Sequence, residues 1–177
     1  MPLNLDSSSS EEQFHNKLRF KATAGLWWIN NDGEEKRFND GFTAIFDFEN
    51  VETGWSKYNG SFTVFVADPD LQTVSARPSV EGDDDEEWKR AFRVNVYSKD
   101  AFGGTGTFLH AARCVTAAFK ELYAEYEGKA KNGQVPVVEV DGSPKKIGDY
   151  YAPNWSIAKM TKRPEAMLAE AEGDEEF

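Results

Sequence analysis

The sequence predicts a mainly β protein: a small barrel of five strands with one amphipathic helix between the third and fourth strands. Three observations lead to this prediction. Several short segments alternate apolar and polar residues, turn sequences such as NNDG, YNG, KNG and DGSP separate them, and a single stretch has helical spacing. With 177 residues, 40% of them hydrophobic, the chain fits one domain with one core.

The first strand is predicted in KLRFKATAGLWW, where apolar and basic residues alternate. The even positions form an apolar face and consist of Leu18, Phe20, Ala22, Ala24, Leu26 and Trp28. The odd positions form a basic face and consist of Lys17, Arg19, Lys21, Thr23, Gly25 and Trp27. A bulge at Gly25 would exchange the two tryptophans, so one of them is expected in the core and a regular strand puts Trp27 on the basic face.

The same alternation predicts a strand in RAFRVNVYS. Phe92, Val94 and Val96 face one way, and Arg93, Asn95 and Tyr97 face the other. The remaining strands are predicted in FTAIFDF, SFTVFVA and VPVVEV, at residues 42–48, 61–67 and 135–140, and a short closing strand is predicted near residues 145–147. Two strands therefore present basic faces with aromatic residues.

One segment has helical rather than strand periodicity. Between Thr107 and about Glu127 the apolar residues recur at helical spacing, and Gly128 supplies a stop signal; these residues are Phe108, Ala112, Val115, Phe119, Leu122 and Tyr126. The resulting order, with early strands, one helix and a late pair of strands, is typical of an OB-fold barrel.

The domain limits follow from composition. Residues 1–16 are predicted to be a disordered lead-in, residues 17–164 the folded domain with an acidic loop at about 68–88, and residues 165–177 a disordered acidic tail. No apolar run is long enough to span a membrane. Cys114 is the only cysteine, so no internal disulfide forms and a reducing, cytoplasmic location is expected.

The net charge of −11 would by itself argue against a nucleic-acid partner. The distribution of the charged residues along the chain weakens this argument. The EGDDDEEW stretch and the segment from Pro164 onward contain six acidic residues each, which leaves a net charge of +1 for the rest of the chain. The basic residues are therefore free to cluster on the body of the domain.

The acidic end with its terminal aromatic resembles the C-terminus of bacterial single-stranded DNA-binding proteins and their phage counterparts. The resemblance implies that Asp174, Glu175, Glu176 and Phe177 bind replication or recombination proteins, and that the acids compete with DNA for the binding groove. The bacterial tip ends in Ile-Pro-Phe after its acids, whereas this chain ends in EEF, which leaves the identity of the partner open.

A second resemblance covers about residues 17–164. ETGW around Trp55, VPVVEVDG and YYAPNWSIAKMTKRP are similar to phage-encoded single-stranded DNA-binding proteins with an OB-fold. This similarity implies a role in replication, recombination or repair of phage or prophage DNA, in the host cytoplasm. Single-stranded DNA is then the first partner, and both a monomer and a homodimer fit the sequence.

A physical argument gives the same function. A groove can hold a single strand without reading its sequence when bases stack on aromatic rings and cations follow the phosphates. The GWSKYNG stretch is predicted as a turn that adds two aromatics and a lysine to the two basic strand faces. The predicted groove consists of Lys17, Arg19, Lys21, Trp27, Trp55, Lys57, Tyr58, Arg93 and Tyr97.

The sequence gives little support for an enzyme, a cofactor or a metal site. FGGTGTF resembles a phosphate-binding loop but lacks the Gly-Lys-Ser/Thr that follows in such loops, so its glycines are predicted to form a turn into the helix. His110 and Cys114 would share a helical face, yet no third group orients them. His15 and His110 are far apart in sequence, and no cysteine cluster accompanies them.

Other readings of the same features stay open. The acidic end is also typical of a solubilising tail, a basic strand face of an ordinary solvated surface, and Trp55 of a packed turn residue. Two other functions fit the composition: an acidic inhibitor that imitates DNA and binds a nuclease or repair enzyme, and a phage structural or assembly protein. Neither of these would bind DNA.

Overall fold

The computed structural model describes residues 16–31, 34–58, 63–78 and 88–167. Within these ranges the fold is mainly β, with twelve strands and one long α-helix. The strands are β1 (Lys17–Lys21), β2 (Leu26–Asn31), β3 (Glu34–Arg37), β4 (Phe42–Phe46), β5 (Glu52–Tyr58), β6 (Thr63–Ala67), β7 (Lys89–Ser98), β8 (Gly104–His110), β9 (Gln134–Val140), β10 (Lys145–Ile147), β11 (Tyr150–Ala152) and β12 (Trp155–Lys162). The helix α1 spans Arg113–Lys129, and a 3-10 helix spans Phe48–Asn50.

Ten of the strands form one curled, open sheet that resembles a half-barrel. The order along the main path is β12-β9-β4-β7-β8-β1-β2-β3, and β5 with its partner β6 branches from β7. The branch arises because one half of the ten-residue strand β7 pairs with β4 and the other half with β5. The mainly β prediction is confirmed, but the five-stranded OB-type barrel is wrong, and the helix follows the eighth strand instead of the third.

The first hairpin corrects the assignment of the two tryptophans. Ala22 to Gly25 form a turn between β1 and β2, and Gly25 adopts a φ of 67° beneath the ring of Tyr151. The turn breaks the alternation, and the antiparallel register pairs Phe20 with Trp27 and Arg19 with Trp28. Trp27 is therefore in the core at 2% exposure, and its predicted place on the basic face is wrong.

The helix begins later than predicted. Residues from Gly104 to His110 form β8, and Phe108 is buried in the sheet instead of in a helix. The helix itself buries Val115, Phe119, Leu122 and Tyr126, as its spacing predicted. The glycines of FGGTGTF lead into a strand, which corrects the predicted turn into the helix; Gly103 has a φ of 72°.

Helix α1 covers the concave face of the sheet with an aromatic core. Phe119 stacks on Phe92 of β7, and Phe48 of the 3-10 helix packs against Phe119 and Tyr126. Trp155 is partly buried and contacts both Trp27 and Phe119. Each of these side chains contributes about 1.5–3 kcal/mol by leaving water. The opposite, convex face of the sheet, here called the outer face, carries the polar side chains.

The predicted closing strand at residues 145–147 has a different role. Lys145–Ile147 pairs only with Tyr150–Ala152 among the described strands, as a separate hairpin, and β12 closes the sheet edge instead. This small hairpin lies against the β1–β2 turn, because the Tyr151 backbone N–H donates to the Ala22 carbonyl over 2.7 Å. Distant pairing also shapes the sheet: β1 runs parallel to β8, with Lys17 beside Thr107.

The predicted loop at 68–88 is described only for residues 68–78 and Trp88, and the acidic residues 81–87 lie outside the described part. Its first part is held by Asp68, whose carboxylate accepts hydrogen bonds from Thr53, Ser75 and Arg90.

At the chain ends, residues 1–15 and 168–177 also lie outside the described residues, including the tip from Asp174 to Phe177. Residues 165–167 are helical, and Met167 is buried. No described helix has the length and apolarity needed to cross a bilayer.

Candidate functional site

The outer face of the first hairpin carries a column of cations. Burial along β1 alternates strictly, so Leu18 and Phe20 point into the core while Lys17, Arg19 and Lys21 are exposed. This alternation confirms the predicted basic face of β1. The exposed residues are spaced two positions apart, about 6.5–7 Å along the strand.

A tryptophan lies between two arginines on this face. The register pairs Arg19 with Trp28 across β1 and β2, and Trp28 with Arg37 across β2 and β3. Residues directly opposite each other in antiparallel strands project to the same side, and neighbouring strands are about 4.8 Å apart. Arg19, Trp28 and Arg37 therefore form a transverse row with the indole half-buried at its centre; we call it the Arg-Trp-Arg row.

The Arg-Trp-Arg row continues toward the middle of the sheet. Thr107 of β8 lies beside Lys17 and opposite Asn95 of β7, so the outer face extends without a break over five strands. Arg93 of β7 lies on this face as predicted. Its guanidinium donates two hydrogen bonds to Glu52 and covers the ring of Phe65 at 4.6 Å, so its charge is already paired.

Tyr97, the last predicted residue on β7, lies in an open depression of about 740 Å³ on the outer side of the sheet. Ile45 lies opposite Tyr97 and contributes to the same surface. The charged residues that line the depression are Lys36, Arg37, Lys99, Lys159, Asp40 and Asp100. Since Arg37 belongs both to this lining and to the Arg-Trp-Arg row, the two features form one continuous surface with an excess of positive charge.

The predicted contribution from GWSKYNG is not part of this surface. Trp55 and Lys57 lie within β5, not in a turn, and both are buried on the inner side of the β5–β6 hairpin. Trp55 is 9% exposed, lies between Arg77 and Arg90 and donates its indole N–H to the Ser75 carbonyl. Lys57 extends over the ring of Trp88. Tyr58 is 65% exposed at the end of β5.

Asp68 holds the residues around Trp55, here called the Trp55 cluster, in place. Arg90 donates one hydrogen bond to each carboxylate oxygen, over 3.0 and 2.6 Å, and this bidentate pair holds the pKa of Asp68 well below its ordinary value. Hydrogen bonds from Thr53 and Ser75 act in the same direction, while burial opposes them. The Trp55 cluster is therefore a structural ion-pair and cation–π arrangement.

His110 and Cys114 contact different partners and form no nucleophilic pair. His110 Nε2 lies 2.7 Å from the Phe20 carbonyl, and Nδ1 accepts a hydrogen bond from the Ala112 N–H. These contacts fit the neutral ring protonated at Nε2, and burial lowers the pKa of His110. The Cys114 thiol donates to the Tyr151 carbonyl. Within the described residues no group of three or more His, Cys, Asp or Glu side chains is placed to bind a metal.

No family model, curated protein or solved structure matches the chain. The assignment of a function therefore depends on the charges, exposure and register of the residues themselves.

The sequence prediction omits Arg37, Lys99 and Lys159 and places Trp28 on the apolar face, although one local signal points to Arg37. NNDG between LWWI and EEKRF predicts a hairpin, and pairing its strands would have placed Arg37 near Trp28. Alternation in SIAKMTK gives Lys159 the same parity as buried Ile157, and only the register shift between these two residues turns Lys159 to the outer face. Lys99 lies in the turn that follows β7, two residues after Tyr97.

Proposed function

We propose that this protein binds single-stranded DNA without sequence preference, through the outer face of β1 to β3 and the adjoining depression. The observation that carries the proposal is the Arg-Trp-Arg row, in which one indole lies between two arginines beside exposed Lys17 and Lys21. A base that stacks on Trp28 would place its flanking phosphates over these cations.

The chemistry of the row favours a single strand over a duplex. A base offers its flat face to an indole only when it leaves the stack of a double helix. Stacking uses the π-face that every base has, so it does not distinguish one base from another. The proposed residues are Lys17, Arg19, Lys21, Trp28, Arg37 and Tyr97, with Lys99 and Lys159 on the rim of the depression.

The charge distribution supports this proposal over a DNA-imitating inhibitor. All 20 lysines and arginines lie in the described residues, which hold only 16 of the 31 acidic residues, so this part carries a net charge of +4. An inhibitor that imitates DNA needs acids spread over its folded surface. The described residues carry an excess of positive charge instead.

Binding is expected to weaken with salt. If four phosphates are neutralised, by Lys17, Arg19, Lys21 and Arg37, affinity falls on the order of 50-fold between about 50 and about 200 mM salt. This estimate uses a single-strand slope of about −0.7 per phosphate. Fluorescence anisotropy of a labelled oligo-dT and of a matched duplex, titrated with the full chain at both salt concentrations, tests the function directly. Equal affinity for the two ligands, or none for either, would refute it.

We extend the proposal to the acidic end. The chain leaves the described part soon after β12, whose Lys159 and Thr161 line the depression. If the ten further residues form the flexible chain that their composition predicts, they span roughly 17 Å. Their acids are thus able to compete with DNA, while Asp174, Glu175, Glu176 and Phe177 recruit a replication or recombination protein. Removing residues 170–177 is expected to tighten DNA binding most at low salt, and unchanged affinity would reject this competition.

A further inference from the structure

The sheet has three edges, and they differ in how they are protected against another strand. Within the described residues β3, β6 and β12 each have a strand neighbour on one side only. Strand β3 reads EEKR, so all four of its side chains are charged. Strand β12 carries two lysines and a register shift between Ile157 and Lys159. Charge and irregularity are the usual means by which sheet edges avoid pairing.

Strand β6 has neither kind of protection. It reads TVFVA, with no charged residue, and its register with β5 is regular over all five positions. Val66 is 41% exposed, and Ala67 is also exposed. Val64 and Val66 project to one face and Phe65 to the other. A regular, apolar edge of this kind is a template for another β-strand.

We infer that β6 is a homodimer interface, in which the edge pairs antiparallel with β6 of a second copy. The sequence around Phe65 reads the same in both directions, Val-Phe-Val. Antiparallel pairing centred on Phe65 therefore places the two phenylalanines opposite each other and each Val64 opposite a Val66. A two-fold contact of this kind is isologous and self-complementary, and it brings no like charges together.

Contacts around Phe65 favour a second copy over an unrelated strand. Arg93 already covers the Phe65 ring at 4.6 Å and is itself held by Glu52. This arrangement fixes the ring on the outer face, where a symmetry-related ring would meet it. Cross-strand aromatic and β-branched pairs each contribute to pairing, and the two-fold centre supplies one aromatic pair and two valine pairs from three residues of each chain.

The pairing has a consequence for the outer face. A two-fold axis that relates antiparallel strands of one sheet is perpendicular to that sheet, so the outer faces of both copies lie on the same side. Two Arg-Trp-Arg rows would then be available to one strand of DNA. This consequence rests on the proposed function, whereas the dimer itself does not.

The test measures mass in solution without DNA, so its failure would leave the proposed function untouched. Sedimentation equilibrium of the full chain is expected to give a dimer, and Val66→Lys to give a monomer with an unchanged circular dichroism spectrum. The matched control is Val74→Lys, at a valine that is 66% exposed outside any strand and should leave the dimer intact. A monomeric wild type, or a dimeric V66K variant, would overturn the interface.

A second measurement does not depend on how V66K folds. In a Cys114→Ser background, Phe65→Cys should form an intermolecular disulfide on mild oxidation, because directly opposed strand residues have the Cα separation that a disulfide requires. Val74→Cys in the same background is the control and should stay largely monomeric. Equal cross-linking of the two variants would contradict the register centred on Phe65.

Discussion

The rings of Phe92 and Phe119 lie parallel, 7° from coplanar, with their centroids 3.7 Å apart. Phe92 belongs to β7, which holds both branches of the sheet, and Phe119 lies at the centre of the helix that covers it. Both residues are buried. This contact joins α1 to β7, the strand from which both branches of the sheet extend.

Phe119→Ala is therefore expected to lower the free energy of unfolding by about 3–5 kcal/mol, through lost burial and the cavity left beside Phe92. Urea denaturation followed by circular dichroism measures the loss. Lys120→Ala, at the exposed neighbouring position, is the control and should change stability by less than about 0.5 kcal/mol. Similar losses for the two variants would contradict the packing of this face of the helix.

The two adjacent tryptophans should separate stability from binding. Trp28→Leu is expected to reduce affinity for oligo-dT by about 5- to 150-fold, since one base stack contributes about 1–3 kcal/mol, while the unfolding midpoint changes little. Trp27→Leu should instead lower the unfolding midpoint, because Trp27 packs against Phe20, Phe42 and Phe108. Anisotropy and thermal unfolding of both variants provide the comparison. A stable Trp28→Leu protein with full affinity would remove Trp28 from the binding surface.

His110 should make stability depend on pH. Burial lowers its pKa in the folded protein, so below about pH 6.5 the unfolded chain binds more protons than the folded one. The contribution of the neutral His110 ring to stability is then fully present above about pH 6.5. The free energy of unfolding decreases as the pH falls toward the lowered pKa, by at most about 1.4 kcal/mol per pH unit. His110→Gln, which can still donate to the Phe20 carbonyl, should flatten the profile between pH 5 and 7. If both proteins show the same slope, another group is responsible.

Asp68 should stabilise segment 68–78 through its charged form. Because Arg90 holds its pKa low, the carboxylate stabilises the fold at neutral pH and loses this effect only in strong acid, below its ordinary pKa. Asp68→Asn is expected to lower stability by about 1.5–3 kcal/mol and to alter Trp55 fluorescence, since Ser75 accepts from the Trp55 indole. Asp70→Asn, at an exposed acid two residues away, is the matched control. An unchanged Trp55 signal in D68N would show that this segment is held by other contacts.

What the sequence could predict depends on how local each feature is. Alternation in KLRFK and in RAFRVNVYS is a property of neighbouring residues, and both strands have the predicted faces. The exchange of Trp27 and Trp28 depends on a single turn conformation at Gly25, which alternation alone does not determine. Phe108 fits a helix and a strand equally well in a short apolar pattern, and only its pairing with Val94 decides between them.

Strand number and pairing depend on contacts between distant segments, so periodicity could not distinguish ten strands from five. The proposed binding surface shows the same limit. Lys17, Arg19 and Lys21 are visible as one strand face, whereas Lys159 enters one row with Tyr97 only through the pairing of β12, β9, β4 and β7. YNG in GWSKYNG predicts a turn near Trp55 and Lys57, yet β5 extends to Tyr58 and buries both residues.

The parallel pairing of β1 with β8 also determines when the basic surface is assembled during synthesis. The contact between Phe20 and His110 joins residues 90 positions apart, so β1 has no partner on that side until β8 has been made. Closing so long a loop is entropically costly, and folds with many such contacts form slowly. An isolated two-stranded hairpin is at best marginally stable in water, so the outer face of β1 is not held in place until β8 is present to pair with it.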